Sequence, residues 1–131
     1  MSRESRHIST VIGAEPAAVH AFAGDPANLP RWAAGLSGSV AYVDGRWRAE
    51  SPMGTVTVTF APANEWGVLD HDVELPSGEV THNPLRVTAH PDGAEMVFSL
   101  RRADGVTDDE FERDAAAVTA DMARLKQLLE P

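Results

Sequence analysis

Cysteine is absent from this chain of 131 residues. Disulfides, thiolate nucleophiles and cysteine-ligated zinc are therefore excluded. Positive charge is scarce: 11 Lys and Arg stand against 20 Asp and Glu, a formal net charge of −9. No basic stripe exists to follow a phosphate backbone, and three Trp, four Phe and one Tyr make a thin aromatic complement, so nucleic acid is not an expected partner. No run approaches the ~18 apolar residues of a membrane span. The opening MSRESRHIST carries positive charge with no apolar stretch behind it. It does not read as a secretory leader, and a cytoplasmic protein is the expectation. A nucleophile elbow, a P-loop, a dinucleotide fingerprint and a Ser/His/Asp spacing are also missing. No repeat, low-complexity stretch or linker divides the chain, so residues 1–131 read as one domain, long enough to bury a core.

What is present is an ordinary globular composition, 43% hydrophobic and 24% charged, written in changing periods. Residues 6–12 alternate and are rich in β-branched side chains, a first strand. Ala14-Glu15-Pro16 opens a short helix with Pro16 in the first turn, where its missing N–H costs nothing. Val19, Phe22 and Ala23 give that helix an apolar side. Asp25-Pro26 breaks it and begins a second short helical turn toward Leu29, followed by Pro30-Arg31-Trp32. After Gly38 the period becomes two. Ser39–Val43 and Arg46–Ser51 flank Asp44-Gly45, a strong hairpin signal. Thr55–Phe60, Gly67–Leu75, Glu79–His90 (interrupted by Pro84) and Ala94–Arg102 complete about six antiparallel strands, separated by Pro- and Gly-bearing turns.

The last third is one long amphipathic helix. Thr107 and Glu110 have capping-box spacing. Asp108, Asp109 and Glu110 crowd the first turn, and Arg124 and Lys126 lie near the far end, each charge suiting the helix dipole. Phe111, Ala115, Val118, Met122, Leu125 and Leu129 share one face. The expected span is about residues 108 to 129. From Asp104 onward the chain has eight acidic and three basic residues. They read as a solvated face, with a charged docking surface as the other reading. A helix roughly 30 Å long needs a broad sheet to lie on, and a long meander must twist and curl around it.

With these elements in place the chain resembles the START-like, or SRPBCC, superfamily, which includes polyketide cyclases/dehydratases and lipid-transfer proteins. The resemblance runs through nearly the whole chain. It rests on Ala14-Glu15-Pro16-x-x-Val19-x-x-Phe22, on Asp25-Pro26-x-Asn28-Leu29-Pro30-x-Trp32, and on Trp66-Gly67-Val68-Leu69-Asp70-His71. It continues in Thr107-x-x-x-Phe111-x-x-Asp114 and Asp121-x-x-x-Leu125-Lys126. The resemblance implies an α+β helix-grip fold: a curved antiparallel sheet of 6–7 strands wrapped around the long C-terminal helix, with two short helices after the first strand. It also implies a hollow between sheet and helix. The chain differs from the plant allergen-like members in lacking their glycine-rich loop, where only Gly54 stands.

Strand parity nominates the site. His71 shares a face with Leu69, Val73 and Leu75, which points it at the core. Three readings stand for it: a structural histidine bonded to a neighbour, a ligand contact, or a proton-transfer group, since imidazole titrates near neutral pH. His82, Asn83 and Arg86 surround Pro84. A bulge there would turn His82 inward with Leu85 and Val87; without one, Asn83 faces inward and His82 and Arg86 face water. An inward Arg86 would suit a carboxylate or enolate oxygen. Ten residues separate His71 from His82, with no third ligand at a useful spacing, so no metal is expected. Trp32, Trp47, Phe98 and Met122 are large apolar groups from different elements that would line a pocket. Small residues at Ala49, Ser51 and Ala89 leave room for a hollow of a few hundred Å³.

The ligand-binding set is therefore Trp32, Trp47, His71, His82, Arg86, Phe98 and Met122, with His71 also the catalytic candidate. The function expected is binding of a small apolar or aromatic molecule by a monomer or homodimer, with no cofactor. The alternative is a cyclase/dehydratase-like enzyme in which His71 moves a proton and Arg86 or Asn83 steadies an oxyanion. A third reading is a protein-interaction domain using the acidic helix.

Overall fold

The computed structural model describes residues 3–36 and 38–131. Strand β1 (Ser5–Ile12) leads into helix α1 (Pro16–Ala23), a 3-10 turn (Pro26–Asn28), the one-turn helix α2 (Leu29–Trp32) and a second 3-10 turn (Ala34–Leu36). Seven strands follow: β2 (Val40–Val43), β3 (Arg46–Ser51), β4 (Gly54–Phe60), β5 (His71–Glu74), β6 (Val80–Asn83), β7 (Leu85–His90) and β8 (Gly93–Arg101). Helix α3 (Asp108–Leu129) closes the chain. This is the helix-grip α+β arrangement, with the long helix at its predicted bounds.

The strands number eight rather than 6–7 and fall into two antiparallel ladders, β2-β3-β4-β5-β6 and β1-β8-β7. The difference has one cause. Pro84 has no N–H, so Glu79–His90 cannot run as one strand and splits into β6 and β7. The run Gly67–Leu75 divides to match. Its second half, β5, pairs with β6. Its first half pairs with β7 through Leu69 N–H to Leu85 O (2.8 Å) and Val87 N–H to Gly67 O (2.9 Å). The run thereby joins the two ladders. Asp70 seals the junction: its carboxylate accepts from Leu85 N–H at 2.9 Å and from Arg86 Nε and Nη2 at 2.8 and 2.7 Å.

Local chemistry explains the other elements. Asp44 (φ 52°) and Gly45 (φ 77°) are both left-handed, the conformation the β2–β3 hairpin turn demands. Gly67 has φ +75°, and a Cβ there would lie 1.9 Å from Val87 O, so no other residue fits this crossing. The α3 cap forms as read: Glu110 N–H donates to Thr107 Oγ1 (3.2 Å) and Thr107 N–H to Glu110 Oε1 (3.0 Å). At the far end Lys126 Nζ donates to Val11 O (2.7 Å) and to Glu130, which also accepts from Gly13 N–H (2.8 Å). Met122 and Leu125 of α3 join Ile12, Val19, Val56 and Met96 in the core. No helix among the described residues is long and apolar enough to cross a membrane.

Candidate functional site

Toward the β6–β7 junction the helix and sheet do not close on one another. They leave a cavity of about 170 Å³. One rim is the segment after α1, which supplies Leu29 and Trp32 of α2 together with Ala33 and Leu36. The sheet side is built by cross-strand pairs: His71 opposite Asn83 between β5 and β6, and Leu85 opposite Phe98 between β7 and β8. Helix α3 covers the space with Val118, Asp121 and Met122. The walls are mainly apolar. The volume is smaller than the few hundred Å³ that the sequence predicts, and Ala49, Ser51 and Ala89 do not line it; Ala89 lies exposed near the far end of β7.

His71 is held tightly. Phe60, its partner across β4–β5, stacks on its ring at 4.8 Å with an interplanar angle of 28°, and Phe98 lies at 6.3 Å on a tilted approach. Nδ1 sits 2.9 Å from Leu69 O. A carbonyl can only accept, so Nδ1 carries the proton and the neutral ring presents Nε2 as a bare acceptor. Nε2 forms no hydrogen bond among the described residues, and the buried indole Nε1 of Trp32 on the rim has no partner among them either. Burial pushes the imidazole pKa down, with the Leu69 carbonyl acting in the other direction. Neutral imidazole is thus the resting form at pH 7. Beside it the Asn83 amide, inward by parity with Leu85 and Val87, forms no side-chain hydrogen bond among the described residues.

Asp121 is the charged residue of the walls. Its carboxylate accepts from Ala34 N–H at 3.1 Å and from the Arg124 guanidinium, whose Nε also reaches Trp32 O at 3.2 Å. Those bonds fasten the rim to α3. Burial holds the Asp121 carboxyl above its ordinary pKa, against the stabilising Ala34 N–H and Arg124.

The structure brings together Trp32, His71, Phe98 and Met122 from the predicted set. It does not bring in Trp47, His82 or Arg86. Trp47 lies on β3, edge-on to the exposed Tyr42 ring at 5.2 Å. His82 and Arg86 correct the bulge reading: alternation runs unbroken through Pro84, so Asn83, Leu85 and Val87 share the inner face and both basic side chains point out. His82 pairs with Asp72 at 2.5 Å and Arg86 with Asp70. His71 and His82 thus lie on opposite faces of neighbouring strands. Asp121 was missed, although it sits three residues after Val118 and four before Leu125, squarely on the helix's apolar face.

No protein-family profile and no curated protein matches the chain. Solved structures do resemble it. BH1534 of Bacillus halodurans superposes with a TM-score of 0.72 at 13% identity, over 99% of this chain and 100% of that one. Ara h 8.0201 gives 0.72 at 13% identity, over 98% of each chain. DynU16, a protein of the dynemicin biosynthetic locus, gives 0.71 at 13% identity, over 95% of this chain but 46% of its own. At such identity the likeness is one of fold, and the fold it supports is the helix-grip type.

Proposed function

We propose that this protein is a START-like (SRPBCC) binding module that holds one small apolar or aromatic molecule between sheet and helix. The observation that carries the reading is the cavity under Val118 and Met122. Interiors normally pack densely, and an unfilled apolar space of this size resembles the ~150 Å³ cavity known to admit benzene. The volume suits a single ring rather than a lipid or a polycyclic polyketide. The helix-grip neighbours and the sequence signatures around Trp32 and His71 support the assignment.

A cyclase/dehydratase-like reaction is the second reading, favoured by one observation: His71 offers an unoccupied basic nitrogen next to the Asn83 amide. A base and an oxyanion donor would then share one wall.

Isothermal calorimetry with toluene tests the binding reading. Wild type should bind saturably with one site. Val118→Phe, which fills the space from α3, should abolish the signal while leaving the circular dichroism spectrum unchanged. Equal binding by the filled variant, or no heat from any neutral one-ring compound, overturns the reading.

A further inference from the structure

The two polar groups of the cavity's sheet wall specify more than an apolar occupant. His71 and Asn83 are directly opposed across β5–β6, which sets their Cβ atoms about 4.5–5.5 Å apart on the wall they share. They differ in what they offer. With Nδ1 committed to Leu69 O, His71 presents only an acceptor, at Nε2. Asn83 presents two N–H donors and a carbonyl oxygen, with no partner among the described residues to consume them. Between an acceptor and a donor a few ångströms apart, the group that satisfies both at once is one that donates and accepts from a single atom.

Other groups fit worse. A ketone or ether would accept from Asn83 but set its lone pairs against Nε2, leaving that acceptor without a donor in an apolar space. A carboxylate would add the Asp121 charge to its own desolvation cost, since no Lys or Arg lines the cavity. An ammonium would find only Asp121, already engaged by Arg124 and Ala34 N–H. An unsubstituted hydrocarbon would strand both polar side chains. The remaining surface of Leu29, Trp32, Leu85, Phe98 and Met122 suits the body of a ring.

We infer, resting on the binding reading above, that the occupant is an uncharged ring compound bearing a hydroxyl, of the phenol or cyclic-alcohol class, whose O–H donates to His71 Nε2 while its oxygen accepts from the Asn83 amide. His71 thereby sets specificity, and the stacked Phe60 ring with the tilted Phe98 ring nearby holds its imidazole so that Nε2 stays aimed.

The test compares four probes of nearly equal shape on the full chain: p-cresol, toluene, 4-methylanisole and p-toluate. Calorimetry should give p-cresol at least about tenfold tighter than toluene, with 4-methylanisole no better than toluene and p-toluate without measurable binding. The 15N resonance of His71 Nε2 should move on adding p-cresol and stay put with toluene. His71→Phe, which keeps a ring against Phe60 and Phe98, and Asn83→Leu should each bring p-cresol down to the level of toluene. Because toluene binding itself reports a folded cavity, a misfolded variant is recognised by its loss. Toluene or 4-methylanisole binding as tightly as p-cresol overturns the hydroxyl assignment and leaves the cavity reading standing; failure of all four probes overturns both.

Discussion

At the scale of single residues, Asp70, Gly67 and His71 do work that their neighbours cannot. The Arg86 guanidinium, aided by the Leu85 N–H and opposed by partial burial, holds the Asp70 carboxyl down at about 2 against an ordinary 3.8. A depressed carboxylate stabilises the fold above its unfolded pKa and loses that contribution as pH falls through the folded value. Wild type should therefore lose on the order of 2 kcal/mol between about pH 4 and pH 2, and Asp70→Asn should be weaker at neutral pH and flatter across that window in urea melts. Parallel curves for the two proteins would contradict the assignment. Gly67→Ala forces a side chain into Val87 O at a left-handed φ, and should cost about 3 kcal/mol or more; a loss under about 0.5 kcal/mol would show that the crossing relaxes easily. His71 shifts in the same direction as Asp70 but for a different reason, and at higher pH. Its folded pKa lies below the usual 6.5 because burial disfavours the cation, with Asp70 and Asp72 on its own run opposing that shift, His82 on β6 adding to it, and Asp121 facing it from α3. The unfolded chain takes up the proton first, so stability falls as pH drops below 6.5. His71→Phe should remove that part of the slope.

At the scale of elements, the C-terminal helix was fully legible and the β6–β7 junction was not. Helix α3 announces itself through chemistry local to the chain: a cap at Thr107, charges sorted along the dipole, and an apolar face repeating at threes and fours. Leu125 on that face has no solvent exposure, so Leu125→Ala should cost ~2–5 kcal/mol. A loss below ~1 kcal/mol in chemical denaturation would mean that the face is misplaced. Pro84 was equally visible, but its consequence depends on partners far away in sequence. Whether the missing N–H produces a bulge or a clean break is decided by Asp70, which captures the Leu85 N–H from fifteen residues upstream. Parity from Asn83 to Val87 follows from that bond, and with it the outward aim of His82 and Arg86. Trp32 and Trp47 were indistinguishable by residue type. Trp32 joins the cavity because Arg124 and Asp121 draw its rim onto α3, an attachment no local pattern encodes. Asp121 itself was readable as a polar residue on an apolar face.

At the scale of the whole molecule, a sheet split in two and bridged at Asp70 wraps a helix fastened at both ends: Arg102 reaches Asp108 and Val106 O at one, and Lys126 with Glu130 binds the start of the chain at the other. The middle of the helix is left to cover a space it does not fill. That space, we propose, takes a small molecule. Methyl NMR during titration with toluene tests it most directly. Saturable shifts are expected at the methyls of Leu29, Leu85, Val118 and Met122, with Val19 and Ala17 unmoved. Shifts confined to Ala17, which lines a separate groove with Trp66 and Val87 beside α1, or none at all up to saturating toluene, would contradict it.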